Sequence, residues 1–143
     1  MKTVELTKGY IESLKPGKEM DDLAIRMLGL ATRENEALTI LIDPSIPPEP
    51  VVVQGVEMTA DMVGVEGYFH PSTSWDNAAF ILRKTPYMVL ERRDEDFLVY
   101  HKIDQRISIA DVYGTVAITR AFLLLKMYEE EADRNEKKCG DGT

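Results

Sequence analysis

Three helix-forming segments follow one another along the chain, and a strand-rich stretch lies between the second and third. Helical and extended periods in that order point to an α+β architecture. The first helix is predicted from Lys18 to Leu30, after the turn signal Lys15-Pro16-Gly17. Leu23, Met27 and Leu30 share a stripe, and Asp21 and Asp22 occupy the first turn, where the helix dipole favours negative charge. The second helix is predicted from a cap at Thr73 or Ser74, with Asp76 completing a capping box, to Arg83 and Lys84 in the last turn before Pro86. The third follows Asp111, a good N-cap residue, and runs through Tyr128 towards Asn135. Val116, Ala117, Ala121, Leu124, Leu125 and Tyr128 form its main stripe, and Ile118, Phe122 and Met127 lie away from the stripe's centre. A helix apolar on so many sides is either the central core element or also packs against a partner.

Between these helices the chain changes period. Leu38–Ile42 is β-prone, and Val51-Val52-Val53 reads as a short strand. Four prolines in the seven residues from Pro44 to Pro50 rule out a helix interior or a central strand there. Gln54 to Phe69 has no clear period and reads as mostly loop. Tyr87–Leu90 and Phe97–Tyr100 are β-rich, are joined by the charged run Glu91 to Asp96, and form a hairpin to which Arg106–Ile109 can add a third strand. The expected fold is α+β with a small, mainly antiparallel sheet, and Trp75, Leu82, Phe97, Val99, Val116, Ala117 and Leu124 buried. One domain is expected over residues 1–136, with a polar lead-in to residue 17 and a flexible tail at 137–143.

The chain has 143 residues, of which 44% are hydrophobic, enough for a core without disulfides or metal. Its single cysteine, Cys139, cannot form an internal bridge, which fits a reducing compartment. No apolar run approaches the roughly 20 residues needed to span a bilayer, and the first residues carry no apolar signal core. The cytoplasm is therefore expected. A formal net charge of −8 opposes direct binding to nucleic-acid phosphates.

The candidate chemistry is thin. His70 and His101 are the only histidines, and no H-x-x-x-H, H-x-H or C-x-x-C spacing exists, so neither a metal site nor a cofactor is expected. His70 could act with Asp76 or Glu66, but Ser72 and Ser74 beside it are explained by helix capping, and no catalytic residue can be assigned. Asp21-Asp22 reads as a dipole-matched pair. Arg120, inside the most apolar helix, either snorkels to the surface, pairs with a buried acid or binds an anionic ligand. Arg92 and Arg93 sit at the hairpin tip, and the aromatics Tyr68, Phe69 and Trp75 gather around the second helix. Arg120, Trp75, Tyr68, Arg92 and Arg93 are the candidate ligand-binding residues. The surplus apolar surface predicts a homo-oligomer, most simply a dimer, with Ile118, Phe122 and Met127 as candidate interface residues.

Three segments also carry a resemblance to a known family. Met20-Asp21-Asp22-Leu23-Ala24-Ile25-Arg26-Met27-Leu28-Gly29 matches its first helix in acid placement, apolar spacing and final glycine. Pro71 to Ala79 and Ala110 to Phe122 resemble its second and third helix starts. The chain in this respect resembles the phage ABA sandwich domain family, small proteins of tailed phages and prophages. Trp75 stands where that family has an aliphatic residue, Ala79 replaces a later tryptophan, and the proline-rich segment is longer. The resemblance implies a layered α-β-α sandwich and a phage or prophage setting in the host cytoplasm, and it brings no catalytic residue. The function expected is that of a non-catalytic accessory protein that binds a host or phage protein. Sequestration of a small nucleotide-like anion and a small hydrolase or transferase around His70 are the alternatives.

Overall fold

A computed structural model describes residues 6–36 and 38–141. The fold is α+β. In chain order the elements are α1 (Lys8–Ser13), α2 (Lys18–Leu28), β1 (Ala31–Asn35), β2 (Leu38–Ile42), β3 (Pro50–Val53), β4 (Val56–Thr59) and β5 (Met62–Val65), then α3 (Trp75–Lys84), β6 (Met88–Arg92), β7 (Phe97–His101), β8 (Ser108–Asp111) and α4 (Gly114–Asp141). The strands form three small sheets, ordered β1-β2-β5, β3-β4 and β6-β7-β8, and every strand pair is antiparallel.

The helix signals act largely as read. Gly29 closes α2 in the left-handed region at φ 71°, which a side chain would disfavour. Ser74 is the N-cap of α3, its hydroxyl accepting the Asn77 N–H. At the other end of α3 the Thr85 hydroxyl donates to the Ile81 carbonyl at 2.9 Å. Asp111 behaves differently from its expected role as the α4 cap. It ends β8, and its Oδ1 accepts the Tyr113 N–H at 2.8 Å, turning the chain before the helix begins at Gly114. The backbone of α4 is helical to Asp141, into the segment expected as a flexible tail; the side chains from Lys137 onward, that of Cys139 among them, and residues 142–143 lie outside the described residues.

Helix α4 is the axis of the core. Val116, Ala117, Ile118, Ala121, Phe122, Leu123, Leu124 and Met127 are all buried, so its apolar side chains are covered around the whole circumference. It packs against α1, α2, α3, β7 and β8. Ile118, Phe122 and Met127, expected at an interface between copies, are instead 0–2% exposed inside the main core. The reason is that α1, its flanking residues Leu6 and Leu14, and α2 supply a second apolar layer, to which Ile11, Met20, Leu23 and Ala24 also belong. Val99, Val116, Ala117 and Leu124 are buried as expected, Leu82 and Phe97 are half-buried, and Trp75 is 49% exposed. Trp75 sits in the first turn of α3, over Gly114 at the very start of α4, where half of the indole stays uncovered.

The stretch expected to be loop holds β4 and β5. Gln54 and Gly55 both have positive φ, 51° and 80°, the type I′ geometry that a two-residue hairpin needs. A smaller core of Ile40, Leu41 and Phe69 joins the β1-β2-β5 sheet to α3, where Phe69 meets Phe80 edge-on at 6.1 Å. Two ion pairs with buried acids fasten the same sheet. Lys84 of α3 reaches Asp43 at 2.6 Å, and Arg33 of β1 reaches Asp61 at 2.7 Å. Burial alone would raise the Asp43 carboxyl, but the Lys84 ammonium and the Ser45 hydroxyl and N–H hold it below the ordinary carboxylate range. Hydrogen bonds from Arg33 and Thr59 do the same for Asp61 against its burial.

Two outcomes follow from this packing. Leu124→Ala should cost about 3–5 kcal/mol in urea unfolding, because the cavity opens where helices and sheet meet. Lowered folded values for Asp43 and Asp61 give stability that is complete above about pH 4 and is lost as pH falls through those values. Urea midpoints measured from about pH 6 down to about pH 3 should therefore fall, and Asp43→Asn should start lower and fall less steeply.

Candidate functional site

The loop between β5 and α3 positions most of the polar chemistry. Ser72, only 1% exposed, is held from three sides. Its N–H donates to Asp21 Oδ1 of α2 at 2.8 Å, its hydroxyl accepts the Gly17 N–H at 3.0 Å, and its carbonyl accepts the Thr115 hydroxyl of α4 at 2.7 Å. This arrangement satisfies buried polar groups that would otherwise cost about 1–3 kcal/mol each. It also locks the starts of α2 and α4 to the segment His70–Ser74. Ser72 is thus a structural node rather than the helix cap expected of it. Asp21, read from sequence as a dipole-matched surface acid, is 3% exposed because Ser72 and α2 close over it.

One cavity, of about 650 Å³, opens beside this node. Ile25, Leu30, Leu41 and Phe69 give it an apolar lining, and Asp21, Asp22, Glu66, Lys18 and His70 supply its charged and titratable groups. His70 is half-exposed, and its Nδ1 lies 3.5 Å from Asp21 Oδ2. Glu66 shares the cavity with His70, whereas Asp76, its other expected partner, does not line it. Lys18 is tied to Asp22 at 2.6 Å. No sequence signal marks the His70–Asp21 pair, because the two residues lie on separate elements far apart in the chain.

A second cavity, of about 530 Å³, opens at the start of α4. Pro16, Ser72, Thr73, Trp75, Phe97, Val112, Tyr113, Gly114, Thr115 and Val116 line it. The Trp75 indole packs edge-on against Phe97 at 5.4 Å and lies directly over Gly114. The absence of a side chain at Gly114 is what lets the indole approach the helix; a Cβ there would come within 3.1 Å of Phe97 Cγ and closer still to the indole. Val112 and Tyr113 are 65% and 66% exposed at the same place. The result is a concave apolar surface with an aromatic rim. Thr73 lines both cavities, so the His70–Ser74 segment forms a wall common to the two.

The other candidate residues are not drawn together. Arg120 is 15% exposed; its guanidinium donates to the Leu14 carbonyl at 2.8 Å and lies 3.4 Å from Asp111, while its buried Nε has no hydrogen-bond partner. Of the three roles open to it, pairing with an acid is the one observed. Arg93 is bidentate to Asp96, with both bonds at 2.6 Å, within the β6–β7 turn. Arg92 is exposed at the end of β6, and Tyr68 is 77% exposed after β5. None of these four lines either of the two cavities. His101 closes a turn, its Nδ1 accepting the Ile103 and Asp104 N–H groups at 3.2 and 2.8 Å. Among the described residues no group of three His, Cys, Asp or Glu side chains could hold a metal, and no helix is long and apolar enough to cross a membrane.

Compared with family models, with curated proteins and with solved structures, the chain matches none of them.

Trp75 is the only tryptophan, so its fluorescence reports directly on the α4 cavity. Gly114→Ala should displace the half-exposed indole rather than unfold the protein. The expected readout is a shifted emission maximum with unfolding free energy changed by no more than about 1 kcal/mol. Unchanged emission would show that the indole does not rest on Gly114.

Proposed function

We propose that this is a non-catalytic binding protein that takes an apolar or aromatic side chain of a protein partner into the cavity at the start of α4. The observation carrying this reading is the half-exposed Trp75 at a concave apolar surface, with Val112 and Tyr113 exposed beside it. Partly exposed Trp and Tyr around a pocket are the usual energetic centre of a protein interface. The resemblance of the three helical segments to the phage ABA sandwich domain family favours a phage or prophage accessory protein acting on a host or phage protein in the cytoplasm. Sequestration of a nucleotide-like anion has less support, because no arginine lines either cavity among the described residues.

Affinity capture from host lysate should be run with the wild type, Trp75→Ala and Tyr113→Ala in parallel, beside mass spectrometry of co-purifying small molecules. The expected outcome is a protein retained by the wild type, lost from both variants, and able to change Trp75 emission when purified and added back. A stoichiometric small molecule with no protein partner would overturn the reading. A second reading, a small hydrolase or transferase, is favoured by the approach of His70 to Asp21 beside the larger cavity. It requires turnover that His70→Ala abolishes while the fold is retained.

A further inference from the structure

The larger cavity, beside α2, is unbalanced in charge. Asp21 of α2 and Glu66 of the β5–α3 loop bring carboxylates to it from separate elements. Asp22 is matched by Lys18 at 2.6 Å, and among the described residues no other lysine or arginine lines the cavity. Asp21 is the unusual acid. Its side chain is 4% exposed. Oδ1 accepts the Ser72 N–H at 2.8 Å, but among the described residues no hydrogen bond reaches Oδ2. His70 Nδ1 stands 3.5 Å from that oxygen, and both residues line the cavity. The dipole of α2 favours an acid in its first turn. Even so, a buried carboxylate with one neutral donor is costly until a cation joins it.

The rest of the lining selects what kind of cation fits. Leu41 and Phe69 are each 2% exposed, and Ile25 and Leu30 are half-buried. The cavity measures about 650 Å³. Small-molecule sites run from roughly 300 to 1,000 Å³, so a ligand can enter with an apolar body as well as a charged head. An anion would face the carboxylates of Asp21 and Glu66, and a neutral apolar ligand would leave Oδ2 of Asp21 unbonded. A primary ammonium brings three donors and one positive charge, which is what these two acids lack. We propose that this cavity binds a small primary amine, its ammonium on Asp21 and Glu66 and its apolar body against Leu41 and Phe69. Such binding needs neither the α4 cavity nor turnover at His70, so it stands or falls independently of both readings above.

Isothermal titration calorimetry tests this with phenethylamine and hexylamine, set against phenethyl alcohol and hydrocinnamate. Both amines should bind saturably, with dissociation constants on the order of 100 µM for ligands of this size. Phenethyl alcohol, the same body without the charge, should bind at least about tenfold more weakly, and hydrocinnamate should not bind. Glu66→Gln, at an exposed position, should weaken both amines about three- to fivefold with the thermal midpoint unchanged. Asp21→Asn keeps an oxygen for the Ser72 N–H and should weaken them about tenfold or more, with the circular dichroism spectrum retained. Trp75→Ala should bind the amines as the wild type does, which separates this site from partner binding at α4. Equal affinity for amine and alcohol, or amine affinity unchanged by Glu66→Gln or by a folded Asp21→Asn, overturns the ammonium assignment. No saturable binding of either amine up to about 5 mM overturns the site. In the affinity capture, a protein lost on Glu66→Gln and retained by Trp75→Ala would overturn the small-molecule assignment in favour of a partner's lysine side chain.

Discussion

The burial of α4 is the constraint on which the rest of the structure depends. From Gly114 to Leu124 each residue except Arg120 is buried, including Thr115 and Thr119, whose hydroxyls find carbonyl partners in Ser72 and Thr115. A helix in that state needs neighbours on all sides, and a chain of this length has few elements to supply them. The β6-β7-β8 sheet takes one side, and α1, α2 and α3 take the others. The second sheet, β1-β2-β5, is then attached from outside, through Phe69 on Phe80 and the Asp43–Lys84 pair. What remains, β3-β4, has no place on the axis and is left as a hairpin with exposed valines.

The same constraint creates the candidate sites. Polar groups at the starts of α2 and α4 converge where those helices enter the core, and they must be satisfied there. Ser72 does this with one residue, and its loop becomes the wall between two cavities. One sets the charged and titratable groups His70, Asp21 and Glu66 against an apolar lining; the other is lined by Trp75 and Tyr113. Their chemistry differs because α2 brings acids to its first turn, whereas α4 begins with glycine and threonine beneath an aromatic pair.

Much of the fold was legible in the sequence, and the reason is local. Ser74, Gly29, Thr85 and Pro86 act within a turn of their own position, so the ends of α2 and α3 could be read almost to the residue. The β6–β7 hairpin was equally clear, from two β-rich runs separated by a charged loop. The strands β1, β4 and β5 were not. Ala31–Asn35 has no apolar alternation, and Met62–Val65 contains a glycine; both owe their extended form to pairing with β2. The candidate residues fared unevenly for a similar reason. Arg93 and Arg120 stand out in the sequence by their charge, yet Asp96 and Asp111 pair with them within the fold, while Asp21 has the pattern of a dipole-matched helix residue.

By itself the sequence determined the α+β class, the order of the main helices, the antiparallel hairpin before α4 and the acidic character of the chain. These follow from periodicity, capping and composition, which act over a few residues or over the whole chain at once. Tertiary structure alone decided which apolar stripes face inward, that Trp75 stands half out of the core, that Asp21 lies beneath Ser72 and beside His70, and that the valines of β3 and β4 are left uncovered. Each of these depends on contacts between segments tens of residues apart, and burial is a property of the completed packing rather than of any segment's own pattern.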